Sequence, residues 1–307
     1  MGVIHFAPVG TRPGAVTSAL SYLKYNQDKF RGFGNIIESV VIFTSHEVRE
    51  GKEIECFYNE YGSQRCLGKS WKNITVLNAI RRFVEKELAE IMPTKGSVWV
   101  CVVDHNDYDD CFEKIAKALL KLSPGPKVGK HIWANLTGGT NILNAALLEV
   151  ALLSGRIARL YYTFLSDIKK YGDYLQPPST DKTIFDWREI PFVKTDFDEF
   201  YYKVLEILNE IGDWCEDTEC LNRLKGSIEH FAKMDIQTFR QIYLNHMDGR
   251  EIERENNKNR LSPYGKRIVT HIKTLWVKTL IYPAESELEK VSSFLKEFTF
   301  EELWHKL

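Results

Sequence analysis

No two of the six cysteines form a C-x-x-C pair, and none has a histidine beside it at zinc-ligand spacing. The usual signs of a zinc site are missing, and neither metal nor cofactor is expected. The thiols read as core or surface groups; Cys56 with Cys66, or Cys215 with Cys220, would bridge only in a cytosol that tolerates disulfides, as in hyperthermophiles. Charge of one sign is not in excess either: 41 Lys and Arg face 42 Asp and Glu, for a formal net charge of −1. Whole-chain charge therefore calls for no polyanionic partner. No apolar run is long enough to cross a bilayer, and Met1 to Val9 carries no basic leader region. A cytoplasmic protein without a membrane partner is expected.

What is present suits two globular domains: 307 residues, 44% hydrophobic and 27% charged. The first is organised around His131 to Phe164, HIWANLTGGTNILNAALLEVALLSGRIARLYYTF. A short apolar run ends in Thr137, Gly138, Gly139, Thr140 and Asn141. A dozen largely apolar residues follow, and after Gly155 comes a second apolar and aromatic run from Ile157 to Phe164. That pattern reads as strand, glycine turn, buried helix and strand, a βαβ unit. The first N–H groups of such a helix point out beside the turn, and glycines let a ligand come close, which suits an anion. The same residues also fit a plain turn in which Thr140 or Asn141 caps the helix.

Val3–Val9, Ser39–Phe43 and Ser97–Val103 are further short apolar strands, ending in the turns Gly10–Arg12, Thr44–His46 and Asp104–Asn106. Helical spacing marks Ala15–Tyr25, opened by Pro13, then Ile74–Met92 and Asp109–Leu122. From Glu47 to Gly68 only a weak aromatic helix or hairpin is legible. Strands without strict alternation, each feeding a helix, predict an α/β, Rossmann-like, mostly parallel sheet with helices on both faces. Right-handed crossovers would gather the four turns on one sheet edge, the edge where such sheets bind ligands. Ile184–Val193 reads as an edge strand running into a linker. The expected domains are 1–178, a connecting strand and linker 179–195, and a mostly helical domain 196–307.

LTGGTN at Leu136–Asn141, with the Ala- and Leu-rich helix after it, resembles the second signature motif of the CRISPR-associated Rossmann-fold (CARF) domains. VGTRP at Val9–Pro13 is similar to that family's other ligand-facing turn, and the likeness covers roughly the first 165 residues. CARF domains sense cyclic oligoadenylates, normally as dimers. The resemblance therefore implies a homodimer holding such a ring, most simply cyclic tetra-adenylate, about its two-fold axis. Gly10, Thr11, Thr137, Gly138, Gly139, Thr140 and Asn141 would bind it. Some CARF proteins with a winged-helix tail are ring nucleases, which cut the activator without metal by attack of a ribose 2′-OH on the adjacent phosphate. Two catalytic positions follow from that resemblance. One comes after the Gly-Thr pair of the first turn, often serine and here Arg12, which departs from the pattern but can still offer two N–H donors to a phosphate. The other is a lysine beyond the strand after the T-G-G helix, here Lys169 or Lys170, with a slight preference for Lys169.

In the second domain, helices are expected at Phe197–Ile211, about Thr218–Phe231 and Ile236–His246. The charged stretch from Met247 to Lys266, before another amphipathic helix, resembles the wing of winged helix-turn-helix domains. Arg250, Arg254, Lys258, Arg260, Lys266, Arg267 and Lys273 give a local basic surplus, interleaved with Glu251, Glu253 and Glu255. This surplus makes residues 237–267 a candidate DNA surface, with Gln237, Thr238, Arg240, Gln241 and Asn245 facing the groove. Two alternatives stand beside the ring nuclease. One is a DNA-binding regulator that responds to the ligand. The other is a CARF-linked HEPN ribonuclease, whose Arg and His spacing is met by Arg223 with His230 and by Arg240 with His246.

Overall fold

The computed structural model describes residues 2–30, 34–52, 75–123, 131–165, 185–191, 199–281 and 285–306. The chain divides into two units, Met1–Thr195 with Pro283–Leu307, and Asp196–Tyr282.

In the first unit, strands β1 (Gly2–Pro8), β2 (Asn35–Thr44), β3 (Ser97–Val102), β4 (His131–Asn135), β5 (Ile157–Leu165), β6 (Phe185–Ile190) and β10 (Glu301–His305) form one sheet, ordered β10-β3-β2-β1-β4-β5-β6. Strands β1 to β5 are parallel to their neighbours; β6 and β10 close the two edges antiparallel. This is the Rossmann-like α/β class that the strand pattern predicts. Alternation divides the side chains of the inner strands between two cores. Val3, Ala7, Val40, Ile42, Trp133 and Tyr161 pack with Val16, Leu20 and Leu23 of helix α1 (Gly14–Tyr25) and with Ile80 and Val84 of a helix that begins as α3 (Val76–Phe83) and continues as a π turn, Val84–Leu88. Ile4, Phe6, Val41, Phe43, Ile132 and Ala134 are buried on the other side. There, helices α4 (Tyr108–Leu122) and α5 (Asn141–Ser154) pack on each other.

A histidine sits in the middle of this apolar sheet. His5 on β1 is fully buried, with Nε2 2.7 Å from the Ile36 carbonyl and Nδ1 2.9 Å from the Tyr161 hydroxyl. A carbonyl only accepts, so Nε2 carries the proton and donates, while Nδ1 accepts from Tyr161. Burial pulls the pKa of His5 from 6.5 to about 4. The ring is therefore a neutral cross-brace between β1, β2 and β5.

Residues 283–307 do not stay with the second domain, as the sequence led us to expect. Glu301–His305 pairs with β3, Leu303 and Trp304 pack against the first core, and Lys121 on α4 donates to the Leu295 carbonyl at 3.0 Å and to that of Phe298. The physical reason is that β3 would otherwise present an open row of N–H and C=O groups.

The second unit runs α6 (Glu199–Ile211), β7 (Cys215–Glu216), α7 (Asp217–Ser227), α8 (residues 236–247), hairpin strands β8 (Ile252–Glu255) and β9 (Lys258–Leu261), then α9 (Pro263–Ile272) and α10 (Leu275–Ile281). The three strands form a small sheet, β7-β9-β8. Asn256 and Asn257 both have positive φ, 48° and 63°. Those are the two central residues of a tight hairpin turn whose twist suits its strands, and Asn tolerates that conformation better than most residues do. Cys215 and Cys220 are free, buried thiols, and a hydrogen bond from Cys220 lowers the pKa of Cys215. Cys56 and Cys66 lie outside the described residues. No described helix is long and apolar enough to cross a membrane.

Candidate functional site

The order β3-β2-β1-β4-β5 reverses direction between β1 and β4. In an open parallel sheet the carboxyl ends at that reversal border a crevice, because the chain leaves the two strands toward opposite sides. The two turns singled out in the sequence leave these two strands. Gly10, Thr11 and Arg12 follow β1, and Thr137 to Asn141 follow β4.

The glycine turn is also packed on the end of β1 and the start of α1, and this is what the glycine pair is for. A Cβ at Gly138 would stand 2.6 Å from the Pro8 carbonyl oxygen and from the Ala15 side chain. At Gly139, where φ is +80°, it would stand 2.5 Å from the Pro8 side chain. Only glycine lets the β4 turn rest on the end of β1. Gly10 is different: its φ is not positive, and a Cβ there would meet nothing within 4 Å.

Hydroxyl and amide groups beneath the turns hold them in place. Asn135, at the end of β4, donates to the Ala15 carbonyl at 2.9 Å and accepts from the Thr137 N–H at 2.9 Å, tying the glycine turn to the first turn of α1. Thr137 Oγ1 accepts from the Thr163 N–H at 2.8 Å, and the Thr163 hydroxyl lies 3.0 Å from that of Ser18. Thr140 caps α5 by accepting from the Leu143 N–H at 3.2 Å. The hydroxyls of Thr137 and Thr140 are thus structural, while Thr11 is half-buried and Arg12 and Asn141 are exposed. Lys169 and Lys170 lie outside the described residues. Asn135, Thr163 and Ser18 were missed in the sequence. The Asn135 and Thr137 spacing was the available signal, since an Asn side chain commonly bonds the N–H two residues on.

Both turns reach solvent, at Arg12 and at Asn141. Two clefts lie away from them, one of about 250 Å³ beside Asp213, Glu253, Arg260 and Lys266, and one of about 350 Å³ beside Gln27, Gly34 and Ile36.

In the second unit, much of the basic surplus is already matched by acids. Asp217 is buried and accepts from Arg240 at 2.5 Å, from Arg254 at 3.1 Å and from Asn259 at 2.6 Å. Arg250 pairs with buried Glu251, and Arg260 with Glu253 at 2.6 Å. Arg240 was expected to face a nucleic-acid groove. It instead ties its helix to α7, and Thr238 is bonded to its own cap, Asp235. Gln237, Gln241, Ile242, Asn245 and His246 are exposed on that helix, as are Lys258, Lys266, Arg267 and Lys273 on the following elements. Three residues of the HEPN spacing, Arg223, His230 and Arg240, have other partners. Arg223 bonds Glu219 at 3.1 Å, and His230 stacks on Phe200 at 3.9 Å and bonds the Tyr243 hydroxyl at 2.9 Å.

No protein-family model matches the chain. An uncharacterized protein from Archaeoglobus fulgidus is 30% identical over 227 residues, or 62% of this chain and 68% of that protein. Among solved structures, Enterococcus italicus Csm6 bound to cyclic hexa-2'-fluoro-hexa-dAMP is 14% identical, with a TM-score of 0.36, over 74% of this chain and 49% of that one. The chain spans about half the length of that protein. Protein VC1899 from Vibrio cholerae is 12% identical, with a TM-score of 0.31, over 95% of this chain and 68% of that one.

Proposed function

We propose that this chain, which belongs to one family with the uncharacterized Archaeoglobus fulgidus protein, binds a cyclic oligoadenylate at the carboxyl ends of β1 and β4. The observation that carries the reading is where the two motif turns leave the sheet: VGTRP and LTGGTN follow the two strands at which the strand order reverses, and LTGGTN packs on Pro8 and Ala15, the residues that flank the first turn. The start of a helix favours anions through its outward N–H groups and its dipole. In this reading Gly10, Thr11, Gly138, Gly139 and Asn141 would meet the ligand, while Thr137 and Thr140 hold the glycine turn in shape. An open edge suits a ring shared with a second copy across a two-fold axis.

The reaction proposed at this site is metal-free ring cleavage. A ribose 2′-OH attacks the adjacent phosphorus in line; the bond to the next 5′ oxygen breaks, a 2′,3′-cyclic phosphate forms, and the 5′ oxygen takes up a proton as the 2′ hydroxyl gives one up. Two such cuts turn cyclic tetra-adenylate into two linear di-adenylates. Arg12, with Lys169 or Lys170, would supply positive charge to the pentacoordinate phosphate, and the turns would hold the attacking oxygen in line. The biological consequence would be to switch off type III CRISPR signalling.

A second reading is supported by the order of the second unit: helix, strand, two helices, hairpin, two helices. Its first elements, up to the hairpin, follow the order of a winged helix-turn-helix, with Asn256-Asn257 at the tip of the wing, and that would make the protein a ligand-controlled DNA binder. The ligand controls DNA affinity only if it binds the two states of the protein unequally.

The deciding experiment is incubation of purified protein with labelled cyclic tetra-adenylate in EDTA, with product separation and a parallel binding titration. Linear di-adenylate with a cyclic phosphate is the expected product, and Arg12→Ala, Lys169→Ala and Lys170→Ala then sort the catalytic groups. Tight binding without cleavage removes the nuclease and leaves the regulator, to be followed by a DNA titration with and without ligand.

A further inference from the structure

Strand β5 outruns β4. Asn135, the last residue of β4, stands opposite Tyr161, so residues 162–165 continue past the glycine turn as a ribbon with β6, Tyr162 opposite Arg188 and Phe164 opposite Asp186. Alternation sorts their side chains. Tyr161 lies in the α1 core, and Thr163 bonds Ser18 on α1 and Thr137 in the turn. Tyr162 and Phe164 therefore point to the opposite face, from which α5 starts. Their rings stack on each other, with centroids 5.7 Å apart and planes inclined at 28°, and the Arg188 guanidinium lies 6.0 Å over the Phe164 ring. Both aromatics are in water, 38% and 40% exposed.

Strand propensity does not require this arrangement, since Val or Thr would serve as well on an exposed strand face. Two exposed rings backed by a guanidinium, one residue on either side of the strand position that hydrogen-bonds the glycine turn, are a chemistry that takes flat π-systems. We propose that Tyr162 and Phe164, with Arg188 behind Phe164, form a ledge on which purine bases of the bound ligand stack while its phosphates sit at the start of α5. This inference rests on the cyclic-oligoadenylate reading above and adds to it the residues that recognise the base. Stacking needs only a π-face, so the ledge gives affinity, and the choice of adenine falls to hydrogen bonds elsewhere in the site. Arg188 is held in place by Asp186 at 3.1 Å, which keeps its plane beside the ring.

The test measures binding of cyclic tetra-adenylate to the full-length protein by calorimetry, with sedimentation for oligomeric state and a thermal melt for folding. Phe164→Ala and Tyr162→Ala are each expected to weaken binding about tenfold, with oligomeric state and melting temperature unchanged, since both side chains are more than a third exposed. Phe164→Trp should restore or exceed wild-type affinity, which a role in mere surface packing would not predict. Unaltered affinity in both alanine variants, with the wild type binding, overturns the ledge and leaves the functional reading standing. Loss of binding together with dissociation of an oligomer also overturns it and assigns the rings to a subunit interface. A wild-type protein that binds neither cyclic tetra-adenylate nor cyclic hexa-adenylate overturns the functional reading and the ledge with it.

Discussion

The edge of the large sheet and the helix–hairpin face of the second unit both looked like binding surfaces in the sequence, yet they use their polar groups in opposite ways. At the sheet edge, Asn135, Thr137, Thr163 and Thr140 bond backbone and one another and hold two turns open to solvent. In the second unit several arginines are matched by carboxylates, and Asp217 alone takes up Arg240 and Arg254. A basic count in a sequence measures charge present, whereas a ligand meets only charge left uncompensated. Four of the charges nominated there for DNA, Arg240, Arg250, Arg254 and Arg260, have carboxylate partners within their own unit.

The comparison breaks most visibly at Asp217. Asp217→Ala leaves two arginines and a buried asparagine without their acceptor and is expected to destabilise the second unit by about 3 to 5 kcal/mol, as loss of one partner of a buried ion pair does. Chemical denaturation checks this, and an unchanged midpoint would show the cluster to be incidental.

Acid separates the units next. His5 is neutral and buried, with a folded pKa near 4 against 6.5 unfolded. Its contribution is therefore fully present above pH 6.5 and lost as pH falls toward 4, since the unfolded chain takes up the proton first; the loss is roughly 3 kcal/mol. His5→Gln should flatten that slope of unfolding free energy against pH in the first unit. An identical slope in the variant would place the acid sensitivity elsewhere.

The glycines offer a sharper contrast within the site itself. Gly138→Ala is expected to cost about 1 to 3 kcal/mol, because its methyl group collides with the end of β1. Gly10→Ala should stay within about 0.5 kcal/mol of wild type while weakening ligand binding, because its methyl group enters the open space of the crevice. Equal melting temperatures for the two variants would undo the account of the turns.

The smallest expected effect is on DNA. Lys258→Ala, Lys266→Ala and Arg267→Ala should each weaken DNA binding only a few-fold and lower its salt dependence by about one phosphate contact. A titration across salt concentrations decides this, and no change on removing all three residues would dismiss the groove reading.

Much of the sheet was legible because an inner parallel strand must be apolar on both faces, and β1, β3, β4 and β5 are short runs of that kind bounded by turn residues. The cap of α5 was legible as one of two residues, Thr140 or Asn141, and it is Thr140 that bonds the Leu143 N–H; Asp107, which caps α4, was not singled out. The closing strand Glu301–His305 was not legible, since a five-residue polar and aromatic edge strand is defined by the strand it covers and not by its own pattern. The pairing of Arg240 with Asp217 was equally out of reach, because 23 residues separate them and side chains on separate helices meet only after packing.

The sequence by itself determined which residues form most of the elements and the two turns, because periodicity, turn chemistry and capping act over a few residues. Only the tertiary structure decided that the glycine turn rests on the end of β1, that Gly138 and Gly139 are glycines for the sake of Pro8, that the basic residues of the hairpin are largely matched, and that Tyr162 and Phe164 stand beside the glycine turn. Those facts depend on strand order and on contacts between residues far apart in the chain. Such contacts are selected by close packing and by the cost of leaving a buried polar group without a partner, and neither acts on a local stretch of sequence alone.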